Sequence, residues 1–116
     1  MTGWFKRLFA PAGPGVGQLG PQEAQALAAA GAVILDVRTP LERQAARIPG
    51  SRAMPLDTLP DKWEGLPADR EIICQCASGS RSRQAAHFLA ARGLKVHNLR
   101  GGLSAWQAAG LPVKRG

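Results

Sequence analysis

The chain has 116 residues, 45% hydrophobic and 20% charged, and a formal net charge of +7. This is the length of one ordinary domain, and the composition excludes a disordered, collagen-like or coiled-coil chain. The longest apolar run, Leu27 to Leu35 interrupted by Gly31, falls far short of the roughly 20 residues of a membrane span.

Met1 to Gly15 reads MTGWFKRLFAPAGPG. Lys6 and Arg7 split the Trp4, Phe5, Leu8 and Phe9 cluster, so there is no continuous apolar core of a secretory signal. Residues 1–15 are expected to be a tail, flexible or used for docking, and residues 16–116 the domain. A membrane foot is the weaker alternative, because one helical turn holds a surface feebly.

From there the elements alternate. Val16 to Leu19 suggests a short edge strand. Pro21 opens a helix at its favoured first-turn position, and Gly31 stops it. Val33-Ile34-Leu35 is apolar throughout, as in a strand buried on both faces. Thr39-Pro40 caps and opens a helix to Ala46. Ala53-Met54-Pro55 is a short strand and Leu56 to Glu64 a helix. Glu71 to Cys74 is a second buried strand, and Ser82 to Arg92 a helix ended by Gly93. Lys95 to Leu99 is a strand, and Leu103 to Ala109 the last helix. Strands alternating with helices at this spacing predict an α/β fold, a parallel sheet covered on both faces. Ligands of such sheets sit at the carboxyl ends of strands.

Residues 81–116 carry seven basic side chains and no acid. Aromatics are 5% of the chain and Tyr is absent. This argues against single-stranded nucleic acid, which is gripped by stacking, and for a small anionic ligand. The two cysteines, Cys74 and Cys76, have neither the spacing of a zinc ribbon nor that of a thioredoxin motif. No metal or cofactor is expected. Free thiols and the lack of a signal point to the cytoplasm.

The chemistry concentrates in Cys76-Ala77-Ser78-Gly79-Ser80-Arg81, between a buried strand and a helix. Small residues let successive backbone N–H groups converge into an anion-binding nest. The helix aims its positive end at the same point, and Arg81 adds a permanent charge. A cysteine there is expected to be largely thiolate near neutral pH. Cys74, inside the strand, reads as structural.

Four segments in order then carry a resemblance. They are Leu35-Asp36-Val37-Arg38-Thr39-Pro40, Ile48-Pro49-Gly50-Ser51, Cys76 to Ser82, and Gly101-Gly102-Leu103-Ser104-Ala105-Trp106. Together they resemble the signature of a single-domain rhodanese, over most of the chain from about Gln18. The resemblance implies a five-stranded parallel sheet flanked by helices. It also implies a sulfurtransferase in which Cys76 carries a persulfide and the backbone of Ala77 to Arg81 cradles substrate. The donor would be a small sulfur anion such as thiosulfate, and the acceptor a thiol, cyanide or a protein. Related phosphatases have five residues between Cys and Arg, whereas here there are four, which makes a smaller pocket suited to sulfur. Arg43 and Arg47 stand where the family often has an aromatic and a histidine, and Gln75 stands where an aromatic is common.

Three further residues enter as supports. Asp36 is expected to brace the loop. Arg38 either adds positive field at its mouth or pairs with Glu42. Ser82 is expected to cap the helix. Besides a turnover enzyme, a sulfur carrier serving one partner and a small phosphatase are kept as alternatives.

Overall fold

A computed structural model describes residues 15–116. Of the expected tail, residues 1–15, all but Gly15 lie outside the described residues. The elements are β1 (Gly17–Leu19), α1 (Pro21–Ala29), β2 (Val33–Asp36), α2 (Pro40–Ala45), β3 (Arg52–Ala53), α3 (Leu59–Lys62), β4 (Ile72–Gln75), α4 (Ser80–Ala90), β5 (Val96–Leu99) and α5 (Gly102–Ala108). The five strands form one sheet in the order β1-β5-β4-β2-β3, and every pairing is parallel. This is the expected α/β architecture.

Period-two alternation sorts the strand residues between two cores. Leu35, Val37, Ile72, Cys74, Cys76 and Val96 face one layer with Ala85, Ala86 and Leu89 of α4. Ile34, Ile73 and Leu99 face the other, with Ala24 of α1 and Leu103 and Trp106 of α5. The alanines let α4 lie close to the sheet. Leu35, Ile72, Ile73 and Leu89 are fully buried, each contributing about 1.5–3 kcal/mol of apolar transfer. Trp106 is a polar anchor as well: its indole N–H donates to Pro112 O at 2.8 Å.

Three expected boundaries differ, the first being β3, which is Arg52–Ala53 rather than Ala53 to Pro55. The Leu56 to Glu64 helix is broken into a 3-10 turn, one α-helical turn, and a second 3-10 turn at Trp63–Gly65. Pro60 lacks the N–H a continuous helix would use. The α4 helix starts at Ser80, two residues before the expected Ser82, and its N-cap is Gly79 at φ +107°.

The carboxyl ends of β2, β4 and β5 lie side by side, so Asp36, Cys76 and Arg100 emerge along one rim. Below that rim α5 comes very near the loop after β4. Leu103 N–H donates to Cys76 O at 2.8 Å and Ser104 N–H to Ala77 O at 3.1 Å. Gly102 makes this approach possible: a Cβ there would lie 2.4 Å from Cys76 O, at φ +57°. Gly102→Ala is expected to destabilise the fold by at least about 2 kcal/mol and lower the melting temperature by roughly 8 °C or more. Gly31→Ala, at φ +117° in open space, should cost only about 1 kcal/mol. Thermal unfolding followed by circular dichroism checks both, and equal losses would contradict the steric argument.

Candidate active site

Strand β4 delivers both cysteines to the α4 side of the sheet, because residues two apart share a face. Cys74 is deep, and burial, followed by the nearness of Cys76, pushes its thiol up to about 12. Cys76 exposes only 1% of its surface but lies shallow, under a loop whose Ser78 and Ser80 are exposed.

The sulfur is held by backbone. Gly79 N–H donates to Cys76 Sγ at 3.1 Å and Ser82 N–H at 3.3 Å. Burial alone would raise this thiol, but the Ser82 groups and the N–H groups of Gly79 and Ser78 outweigh it, leaving its pKa below the ordinary cysteine value. The Ser82 hydroxyl has one proton for two acceptors, Sγ and Asn98 Oδ1. It gives it to Asn98, at 2.5 Å, so the backbone amides carry most of the stabilisation. The expectation that Ser82 caps α4 is corrected: Gly79 takes that position, and Ser82 is buried in the first turn.

Asn98 and Gln18 had not been singled out in the sequence. Asn98 Nδ2 donates to Gln18 Oε1 at 3.1 Å and to Gly79 O at 3.4 Å. A line from β1 through β5 to α4 thus supports the loop from one side. No local pattern marks these residues, because only strand order brings them together.

On the other side, Arg81 does not point its charge freely at the sulfur. Its guanidinium makes a two-armed ion pair with Glu42, 2.8 Å on each arm. Arg81, then Thr39, hold the Glu42 carboxyl down at about 2 against the opposing effect of partial burial. Glu42 also caps α2 reciprocally with Thr39. The alternative that paired Arg38 with Glu42 is therefore corrected.

Arg38 is 3% exposed and is engaged within the β2–α2 connection rather than open to solvent. Its Nε and Nη2 donate to the two oxygens of Asp36 at 3.0 and 2.8 Å, and Nη2 also to Ala46 O at 2.7 Å. Arg43 Nη1 donates to Asp36 Oδ2 at 3.0 Å and to Ser51 Oγ at 2.9 Å. Asp36, wholly buried, thus braces the β2–α2 connection rather than the loop after β4. Arg43 replaces an apolar anchor with an ionic one. Arg47 is drawn to the chain end, where its backbone pairs with Lys114. Trp63 packs against the α4-side core, with Arg92 above its ring at 5.8 Å.

Gln75 is fully buried; its Nε2 donates to Cys76 O at 2.9 Å, and its Oε1 has no partner. A cavity of about 440 Å³ lies at the opposite end of the sheet beside Glu71 and Lys95 and is lined by no cysteine. Among the described residues His, Cys, Asp and Glu form no group of three suited to a metal ion, and no helix is long and apolar enough to cross a membrane. What the site offers is a low-pKa thiol inside a ring of inward amides, suited to nucleophilic attack on, and holding of, an anion.

The model of the rhodanese-like domain family matches residues 20–109. A sulfurtransferase of Allochromatium vinosum is 40% identical over 82 residues, covering 70% of this chain and 77% of the relative. The thiosulfate sulfurtransferase GlpE of Ectopseudomonas mendocina is 36% identical over 92 residues, covering 78% and 84%. Among solved structures, the rhodanese-related protein of Thermoplasma volcanium superposes with a TM-score of 0.81 at 32% identity, covering 84% of this chain and 97% of that one.

Two outcomes follow from this geometry. At pH 7 a small alkylating agent should modify one thiol per chain, Cys76, with a pH midpoint below that of free cysteine; modification at Cys74 would contradict the depth assigned to it. The Glu42–Arg81 pair should behave as a depressed carboxylate. Its folded pKa of about 2 lies below the ordinary value of 4.5, so its stabilisation is complete above about pH 4.5 and is lost as pH falls toward 2. The partners are 32% and 36% exposed, which limits the coupling at pH 7 to about 0.5–1 kcal/mol. A double-mutant cycle of Glu42→Gln and Arg81→Gln, by urea unfolding at pH 7, 4 and 3, should show it shrinking with acid.

Proposed function

The chain belongs to the rhodanese-like domain family, and we propose that it is a sulfurtransferase that moves sulfane sulfur through a persulfide on Cys76. The observation that carries this is the Sγ atom held by the Gly79 and Ser82 amides. Such donors favour a thiolate, and they favour equally the negative charge of a persulfide.

The exchange has two steps. In the first, the Cys76 thiolate attacks the outer sulfur of thiosulfate. The new Sγ–S bond forms as the S–S bond of the donor breaks, and sulfite leaves with the bonding pair. In the second, an acceptor thiolate or cyanide attacks that same outer sulfur. The Sγ–S bond breaks and its pair returns to Sγ. Each step is an attack by an anion that is already ionised, so no general base is needed. His87 is exposed on α4, and His97 is engaged with Glu71.

The loop argues against phosphate esters as substrates. Only four residues separate Cys76 from Arg81, and the Arg81 guanidinium is committed to Glu42. A phosphatase of this type needs the arginine to face the transferring phosphoryl group.

Intact mass of the reduced protein before and after thiosulfate tests the reading. The wild type should gain one sulfur, which cyanide removes, and Cys76→Ser should gain none while keeping its fold. No gain from thiosulfate or from a small persulfide, with Cys76 free, would overturn it. Gain from the persulfide alone would replace thiosulfate as the donor.

A further inference from the structure

Two arginines beside the loop stand apart from the ion pairs. Among the described residues, Asp36 ties Arg38 and Arg43, and Glu42 ties Arg81. Arg83 on α4 and Arg100 just beyond β5 are exposed and make no ion pair with any described residue. Glu23, the acid of α1 at this edge, is turned to the Gly20 N–H at 2.8 Å.

These two side chains line one cleft of about 230 Å³ together with Gln18, Asn98, Ser78 and Ser80. Ser78 and Gly79, whose N–H groups face the sulfur on one side, therefore also wall the cleft on the other, while Cys76 itself does not line it. At roughly 30 Å³ per water molecule the cleft holds about seven waters, or a short polar arm. Thiosulfate is too compact to fill both the cradle and this annex. An acceptor with its sulfur over Cys76 would send the rest of its body outward from the loop. On the Arg81 side, the carboxylate of Glu42 is already in place. On the cleft side neither guanidinium makes an ion pair, although the Glu23 carboxylate and Arg100 Nη2 both approach Gly20.

We propose that this cleft is an acceptor subsite, selecting a small thiol that bears a carboxylate a few bonds from its sulfur. Arg83 and Arg100 take the carboxylate by charge-assisted hydrogen bonds. Gln18 and Asn98 line the same wall. The inference rests on the sulfurtransferase reading above. In the step concerned, the acceptor thiolate attacks the outer sulfur of the Cys76 persulfide. The new S–S bond forms on the acceptor, the Sγ–S bond breaks, and Sγ recovers the electron pair as thiolate.

The test charges the protein with thiosulfate, removes the excess, and follows discharge by quenched intact mass. The acceptors are 3-mercaptopropionate and the neutral 2-mercaptoethanol, compared at equal thiolate concentration and low salt. The wild type should discharge several-fold faster to 3-mercaptopropionate. Arg83→Gln and Arg100→Gln should each reduce that advantage about three- to tenfold. Sulfur uptake and discharge to 2-mercaptoethanol should stay within about twofold. Lys95→Gln removes the same charge at the opposite end of β5, beside the other cavity, and should change neither acceptor.

Equal losses with both thiols, or the same loss in Lys95→Gln, would show a general field and overturn the subsite. Normal uptake with no carboxylate advantage in the wild type would overturn the subsite while leaving the sulfurtransferase reading intact. A wild type that takes up no sulfur from thiosulfate or from a small persulfide would overturn both.

Discussion

The site depends on where two carbonyl groups point. Cys76 O and Ala77 O are drawn toward the first turn of α5, to the N–H groups of Leu103 and Ser104. In a planar trans peptide the N–H lies opposite the carbonyl. Turning the Ala77 carbonyl toward α5 therefore turns the Ser78 N–H the other way, toward the sulfur. The first turn of α4 adds donors that no helical carbonyl can satisfy. One helix start takes the oxygens of the loop and another supplies its hydrogens. Gly102 sets how near the first can come, and Gly79 allows the second to begin so abruptly.

The charges around the loop are arranged by pairing rather than by number. Three arginines are already paired: Arg38 and Arg43 with a buried carboxylate, and Arg81, beside the loop, with Glu42. Those pairs fix the β2–α2 connection and tie α2 to α4. The sulfur is left to fixed backbone dipoles. Such dipoles are oriented by the fold and do not reorganise when negative charge moves from one sulfur to another. A free guanidinium would hold an incoming anion strongly in the ground state as well, which gains nothing for the chemical step.

Much of this was legible in the sequence. The apolar triplets at Val33 and Ile72, with Gly and Pro between elements, indicated a parallel sheet. The small-residue loop after Cys74 indicated where an anion would sit. The start of α4 was misplaced because a serine is the better cap on propensity, while the turn needs a positive φ that only Gly79 takes easily. The partner of Glu42 was misjudged for a different reason. Spacing of four residues favours Arg38, but Arg38 is claimed by Asp36, and the sheet brings Arg81 from 39 residues away. Asn98 and Gln18 have no sequence signal at all, because their contact exists only once β1 has paired with β5. Pattern reading reaches as far as local geometry and hydrophobic periodicity. Exchanges between polar partners are settled by tertiary packing.

The depth of Cys74 has a consequence for the lifetime of the protein. Peroxide converts an exposed thiolate to a sulfenic acid, and many redox-active sites recover it through a disulfide with a neighbouring thiol. Here the neighbour two residues back is sealed in the sheet and held protonated, so it is a poor attacking group. The chain has only these two cysteines. Rescue of an oxidised Cys76 must therefore come from thiols in the surroundings, and without them the oxidation proceeds to forms that no thiol reverses. The burial that keeps the Cys74 thiol protonated makes the endurance of the Cys76 thiol a property of its redox environment.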